Sequence, residues 1–215
     1  MKNLIITLLL IILLSILNYA QNTYNVKPGV KNNQIVLELK NISETEQISL
    51  TKPLQRRGLK HIIFSDNIEE TIVLNPSETK EVVYRFDVDY NIGNAEADTI
   101  EFLITDNKSI YLTKQFILQY TLPTEYKLEQ NYPNPFNPNT KIRYSLPQEA
   151  RGEKQEVSLI VYDILGNKVT TLVNEQKEAG YYETKFNASQ YASGVYIYRL
   201  QAGSFVSTKK MLLIK

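Results

Sequence analysis

The sequence predicts an all-β protein in which two antiparallel β-sandwiches follow one another after an N-terminal signal peptide. First, apolar and polar residues alternate with period two through most of the 215-residue chain, as they do in half-buried strands. Second, short runs of Asn, Pro, Gly and Ser separate these segments. Third, no stretch after residue 20 sustains helical spacing. Many short strands at this spacing are typical of an immunoglobulin-like sandwich.

Residues 1–20 have the three parts of a secretory signal peptide. Lys2 gives a positive start, Leu4–Leu17 is apolar at all but two positions, and Ala20 offers a small residue for cleavage. As a helix, the apolar stretch would span roughly 21 Å, which is short of the ~30 Å hydrocarbon core of a bilayer. A buried N-terminal helix or an uncleaved anchor is the alternative. The segment therefore predicts export into the periplasm.

The first sandwich is predicted for residues 21–122. Its clearest strands are Ile35–Leu39, Val82–Val88 and Ile100–Ile104, in which every second residue is apolar. Shorter apolar runs complete seven or eight strands and lie at 60–64, 71–74 and 110–120.

The chain is expected to divide near Pro123. Five of the eight prolines lie between residues 123 and 147, and Pro123 itself interrupts a strand pattern. We therefore expect a linker at 123–130 and a second sandwich at 131–215. The strands of this second sandwich are expected at 142–146, 157–162, 168–173, 180–187, 195–201 and 204–214, with a turn at Gly166-Asn167.

Composition argues against several classes of function. Lys and Arg total 24 against 23 Asp and Glu, so the basic excess typical of a nucleic-acid-binding protein is missing. The chain has no Cys, which excludes disulfide scaffolds, thiolate zinc sites and cysteine nucleophiles. Its single histidine, His61, excludes metal sites built on a histidine pair. We therefore expect no enzyme, no cofactor and no nucleic-acid partner.

A weak calcium motif lies in the first half. Oxygen ligands at calcium-loop spacing would be Asp87, Asp89, Asn91 and Asp98. However, Gly93 stands one place later than the calcium loop requires, and the bidentate Glu at the end is missing. Solvated carboxylates before a turn are the favoured interpretation, so no metal site is predicted.

Two further candidates lie in the same half. A small surface hydrolase could use His61 or a carboxylate pair, but the chain has no Gly-x-Ser-x-Gly elbow and a small sandwich offers no cleft. The densest basic patch is Lys52, Arg56, Arg57 and Lys60. We interpret it as a solvated loop, with a polyanion such as lipopolysaccharide as the alternative ligand.

The most distinctive motif is Asn131–Thr140, here called the proline segment. Its three prolines fix φ and remove three backbone donors, so it cannot be a central strand. Its asparagines favour turns. We expect a rigid, polyproline-like segment, held on the edge of the sandwich by Tyr132 and Phe136.

The proline segment and five later blocks together resemble the C-terminal sorting domain, type A, of type IX (Por) secretion substrates. The blocks lie in order at 161–169, 172–174, 179–182, 193–200 and 209–215. The resemblance covers about residues 124–215 and implies a seven-stranded immunoglobulin-like sandwich, also similar to a domain of flagellar hook-capping proteins. The charged stretch Gln148–Glu156 departs from the pattern.

The resemblance implies a route of delivery. Such substrates cross the inner membrane by a signal peptide, and the outer-membrane translocon then recognises the C-terminal domain. A sortase-like peptidase commonly removes that domain, attaching the rest to lipopolysaccharide or releasing it. A last strand also offers an edge to which a receptor can add. By matching position, the residues expected to carry recognition are Asn131, Pro133, Asn134, Pro135, Phe136, Asn137, Pro138, Gly166, Gly194, Lys209, Lys210, Met211, Leu212, Leu213, Ile214 and Lys215.

Residues 21–122 would then be the passenger, on the cell surface or secreted. Asn75–Lys80 before an alternating strand loosely resembles bacterial immunoglobulin-like accessory modules. We expect a non-catalytic binding or structural module with a protein or polysaccharide ligand.

Overall fold

The structure is a computed structural model that describes residues 5–12, 22–56, 60–65, 71–108, 110–148 and 154–215. Throughout these ranges the chain forms strands and turns without a helix, which confirms the all-β prediction. The chain divides into two compact units. Residues up to Asp89 and Glu96–Thr121 form the first, and Tyr90–Ala95 with Leu122–Lys215 form the second.

The first unit contains nine strands in its described part. They are β1 (Ile5–Ile12), β2 (Asn22–Val26), β3 (Asn33–Asn41), β4 (Ile48–Arg56), β5 (Ile62–Phe64), β6 (Thr71–Leu74), β7 (Thr79–Val88), β8 (Ala97–Thr105) and β9 (Tyr111–Tyr120). One sheet has the order β1-β3-β7-β5 and the other β2-β9-β8-β4-β6.

The two sheets of the first unit share one apolar core. Along β7, Val82, Tyr84, Phe86 and Val88 are buried at every second position, as the alternation predicts. The ring of Tyr84 lies 4.6 Å from that of Phe102 on β8 in the other sheet, so side chains of both sheets interdigitate. This is the layering of a β-sandwich.

Three features of the first unit differ from the expectation. β1 pairs in parallel with β3, and β2 pairs in parallel with β9, although the prediction was antiparallel throughout. β1 is a strand, although it lies inside the predicted signal peptide, whose apolar stretch was considered as a helix. The rest of that peptide, residues 1–4 and 13–20, lies outside the described ranges, as does residue 21. The basic patch was expected to be a loop, but Lys52 and Arg56 belong to β4, while Arg57 lies outside the described residues.

The second unit contains seven strands in its described part. They are β10 (Lys127–Leu128), β11 (Asn139–Leu146), β12 (Gln155–Tyr162), β13 (Lys168–Lys177), β14 (Gly180–Asn187), β15 (Gly194–Ala202) and β16 (Phe205–Leu213). Three strands form the sheet β10-β11-β14 and four form the sheet β13-β12-β15-β16, all paired antiparallel. Seven strands divided three and four match the constant-type immunoglobulin sandwich.

One apolar core joins both sheets of the second unit. It includes Ile142 and Tyr144 from one sheet and Leu159, Tyr198 and Met211 from the other. The stretch predicted as a linker, 123–130, has regular structure and a buried residue. It contains β10, and Leu128 is buried in this core, so the stretch packs as part of the second unit.

In the described part of the chain, no helix is long and apolar enough to cross a membrane.

Candidate sorting surface

The last strand, β16, lies at the edge of its four-stranded sheet. Its inner edge pairs with β15 from Gly194↔Leu213 to Ala202↔Phe205 without a register shift. Because residues alternate along a strand, the N–H and C=O groups of every second residue point to the outer edge. An edge of this kind can accept another segment of backbone.

The proline segment occupies the C-terminal part of that outer edge. The Phe136 N–H donates to the Leu212 carbonyl at 3.0 Å, and the Ile214 N–H donates to the Phe136 carbonyl at 3.0 Å. The Leu212 N–H donates to Asn134 Oδ1 at 2.9 Å. Gln130 Nε2 donates to the Lys210 carbonyl at 2.7 Å. Two parts of the sequence that were expected to carry recognition therefore form one continuous surface.

This arrangement limits where a receptor could add a strand. The edge groups of Leu212 already have partners in the proline segment. The outward-facing groups of Val206 and Thr208, farther back on β16, have no partner among the residues that the structure describes. The expectation of an open terminal edge is therefore wrong at Leu212–Ile214, and an open edge remains only near the start of β16.

The proline segment is held from inside by a buried polar cluster. Asn131 is buried, and its Nδ2 donates to the Pro133 carbonyl and to Thr140 Oγ1, both at 3.0 Å. The Thr140 hydroxyl donates to the same Pro133 carbonyl at 2.8 Å. The segment also contains two cis peptide bonds, before Pro133 and before Pro135. Buried polar groups in a folded protein need such partners, and these groups have them.

Tyr198 on β15 completes the cluster. Its hydroxyl accepts the Asn131 N–H at 2.8 Å and donates to the Glu129 carbonyl at 2.8 Å. Burial raises the pKa of this hydroxyl to about 12, so it stays protonated and can serve as that donor. In the sequence, Tyr198 belongs to the predicted strand 195–201 and is one of several tyrosines near the C-terminus, for which packing was the favoured interpretation. Nothing in the alternation indicates which hydroxyl will meet a backbone group from another part of the chain.

Of the two rings expected to hold the segment, only one does so. The ring of Phe136 is buried and lies 6.0 Å from that of Phe186. Tyr132 is 79% exposed, and its backbone rather than its ring makes the contact, through a bridge to Lys141. The expected role of the Tyr132 ring is therefore wrong.

The two glycines of the recognition set lie at strand ends. Gly166 has φ +87° in the turn between β12 and β13, and Gly194 has φ +153° at the start of β15. These values favour glycine because a Cβ is strained there. Asp163 fixes the Gly166 turn, since its Oδ1 accepts the N–H groups of Leu165 and Asn167, both at 2.9 Å.

Two of the weak calcium residues use a side-chain oxygen to accept hydrogen bonds from other groups. Asp87 Oδ1 accepts the Asn32 N–H at 2.9 Å. Asp98 Oδ2 accepts the His61 N–H at 3.1 Å and the Tyr120 hydroxyl at 2.9 Å. Among the residues that the structure describes, no three His, Asp or Glu side chains are grouped closely enough to hold a metal ion.

His61, the residue of the hydrolase alternative, packs against an aromatic ring. Its imidazole lies edge-on to the ring of Tyr120, with 6.0 Å between the centroids. Both backbone groups of His61 are hydrogen-bonded: its N–H donates to Asp98, as described above, and its carbonyl accepts the Asp89 N–H at 2.7 Å. The Asp98 carboxylate thus meets the His61 backbone and the Tyr120 hydroxyl in this structure.

Residues 130–215 match the family model described as the secretion system C-terminal sorting domain. The match includes both the proline segment and β16. No curated protein matches the chain.

Solved structures of low identity resemble the chain. Dimeric latent PorU from Porphyromonas gingivalis is 15% identical, with a TM-score of 0.34, over 91% of this chain and 19% of PorU. The chain thus spans about a fifth of that protein. The D0-D1 domain of intimin is 9% identical, with a TM-score of 0.30, over 91% of this chain and 95% of the other.

Proposed function

Since residues 130–215 are a C-terminal sorting domain of the Por, or type IX, secretion system, we propose that the chain is a cargo whose second unit is read at the outer membrane. The sorting domain itself implies secretion by this system, to the cell surface or the medium. The finer proposal is that the surface formed by the proline segment and Lys210–Ile214, at the C-terminal end of β16, is what the translocon recognises. Four hydrogen bonds between Gln130–Phe136 and Lys210–Ile214 support it.

This proposal has a physical basis in folding. The surface exists only when residues that are about 80 positions apart have come together, as in the Leu212–Asn134 bond. A receptor that binds both parts would therefore distinguish a folded domain from an unfolded one. Signal-peptide cleavage, removal of the domain by a sortase-like peptidase and attachment to lipopolysaccharide belong to the same proposed route.

We propose that the first unit is a non-catalytic passenger, which binds a protein or a polysaccharide or serves a structural role. In support, the Asp98 carboxylate that a His61-dependent hydrolase could use accepts bonds from a backbone N–H and from Tyr120. The hydrolase remains the alternative. Replacing His61 with Ala tests it, because a hydrolase that depends on the imidazole would lose its activity.

Removing Lys209–Lys215 tests the recognition surface in a host with the secretion system. We expect the truncated protein to stay in the periplasm, measured by immunoblot of periplasmic and extracellular fractions. Because Met211 and Leu213 belong to the core, the truncation could also unfold the domain.

A second variant, Leu212→Ser, changes a side chain on the outer face and keeps the core. Its matched control is Val206→Ser, which changes an exposed side chain near the other end of the same strand. We expect the extracellular fraction to fall for Leu212→Ser and to stay unchanged for the control. Normal export of Leu212→Ser would contradict the assignment, whatever the truncated protein does.

A further inference from the structure

Five exposed aliphatic side chains of the second unit lie at one end of the sheet β13-β12-β15-β16. They are Ile164, Leu165, Val195, Leu212 and Ile214, and we call them the apolar end. Leu165 is 82% exposed and Ile164 is 70% exposed. Single exposed apolar residues are ordinary on a protein surface, but a group of five at one end of a sheet marks an interaction surface.

The strand register places these residues together. Tyr162, the last residue of β12, lies opposite both Lys168 and Ile197. Because β15 starts at Gly194, three residues before Ile197, its first residues extend past Tyr162 on the side of the turn that carries Ile164 and Leu165. At that start, Val195 lies opposite Leu212. Their neighbours Tyr196, Met211 and Leu213 are buried, which places Val195 and Leu212 on the outer face of the sheet.

The tip of the apolar end is held rigidly. Asp163 Oδ1 accepts the Leu165 and Asn167 N–H groups, and Asp163 Oδ2 accepts Asn167 Nδ2, each at 2.9 Å. The Asp163 N–H also donates to the Asn167 carbonyl at 3.0 Å, and the Gly166 N–H donates to the Asp163 carbonyl at 3.2 Å. These hydrogen bonds stabilise the turn, so its conformation does not depend on burial of the Ile164 and Leu165 side chains, which are exposed to solvent. A site that is ordered before it binds loses less conformational entropy on binding.

The charges around the apolar end are mainly positive. Lys168 and Lys210 lie there, against one side-chain carboxylate, Asp163, in the described residues. The opposite end of the sheet carries more acidic groups, among them Glu156 and the ion pairs Lys177–Glu175 at 2.7 Å and Lys154–Glu178 at 3.9 Å. An anionic partner therefore fits the apolar end and not the opposite end.

We propose that the apolar end binds an anionic lipid surface, with Ile164 and Leu165 inserted at the level of the headgroups. Aliphatic side chains at a tip with lysines beside them are the arrangement that holds proteins at such an interface, because burial and headgroup attraction add. The surface would hold the second unit at a membrane without any protein receptor. A protein pocket is the other possible partner, and the experiment distinguishes it.

The absence of tryptophan from the sequence allows a direct probe. In the protein without its predicted signal peptide but with the sorting domain still attached (residues 21–215), Leu165→Trp places a single indole at the tip, and Val206→Trp places one at a 53% exposed position at the opposite end of the sheet. With vesicles of phosphatidylethanolamine and phosphatidylglycerol, the emission of Leu165→Trp is expected to shift to shorter wavelength, while that of Val206→Trp stays unchanged. Vesicles of phosphatidylcholine alone are expected to shift neither.

Vesicle flotation of the same 21–215 protein provides the affinity test. Leu165→Asp is expected to weaken binding to the anionic vesicles about tenfold, and Lys210→Ala about fivefold. Val206→Asp is the matched control and is expected to bind as the parent protein does. Far-UV circular dichroism checks folding, and Ile164→Asp replaces Leu165→Asp if that variant fails to fold.

Three outcomes would overturn the proposal. These are no binding of the parent protein to anionic vesicles, equal binding to neutral vesicles, and equal loss in Leu165→Asp and Val206→Asp. Export lost in Leu165→Asp without vesicle binding by the parent would identify a protein pocket instead. Since the vesicle assays contain no translocon, their result is independent of the proposed sorting function.

Discussion

The hydroxyl of Tyr198 offers the sharpest test of how the proline segment is held. Tyr198→Phe removes one oxygen atom and leaves the ring, so it opens no cavity of consequence. The change leaves the buried Asn131 N–H without its acceptor and the Glu129 carbonyl without its donor. An unpaired buried donor costs about 1–3 kcal/mol, and the second lost bond adds about 1 kcal/mol. We expect the free energy of unfolding to fall by about 2–4 kcal/mol.

Tyr196→Phe is the matched control on the same strand. The Tyr196 hydroxyl makes one bond, to the Ala192 carbonyl at 2.7 Å, so its loss should cost only about 1 kcal/mol. Urea unfolding of both variants gives the two costs, and hydrogen exchange of the Asn131 amide should become faster in Tyr198→Phe alone. Equal losses of stability in the two variants, or an unchanged exchange rate of the Asn131 amide, would contradict this role of the Tyr198 hydroxyl.

Three further predictions concern separate parts of the chain. Hydrogen bonding by Asn167 lowers the pKa of the Asp163 carboxyl, so the ionised carboxylate stabilises the turn at pH values above the unfolded pKa of about 3.9. As the pH falls below that value the turn should lose this stabilisation, and amide exchange at Leu165 should become faster. Asp163→Asn should remove this pH dependence. Gly166→Ala meets open space but has φ +87°, so urea unfolding should show a loss of about 1–2 kcal/mol from backbone strain alone. Phe102→Ala in the first unit should cost about 3–5 kcal/mol, since the ring is fully buried, and a smaller shift in the thermal melt would contradict the packing described.

Strands that alternate cleanly could be predicted from the sequence. In β7, the predicted apolar positions from Val82 to Val88 are the ones that are buried. β4 was not predicted, because Pro53 and two charged residues interrupt the alternation of Ile48–Arg56. β2 pairs in parallel with β9, a partner about 90 residues away, and hydrophobic period alone carries no information on pairing direction.

The candidate site was predicted as a set of residues but not as an arrangement. The prolines showed that Asn131–Thr140 is no central strand, and the resemblance singled out Lys209–Lys215. Neither observation indicates that the Phe136 backbone lies along β16, because that contact depends on tertiary packing. Tyr198 was missed for the same reason, since its hydroxyl acts on residues about 70 positions away.

Fractionation of cells with and without a functional type IX translocon tests the central claim most directly. In the intact host the full chain should appear outside the cell or on its surface. In the translocon-deficient host it should accumulate in the periplasm as a folded protein. Equal amounts outside both hosts would mean that residues 130–215 do not direct this chain through the translocon.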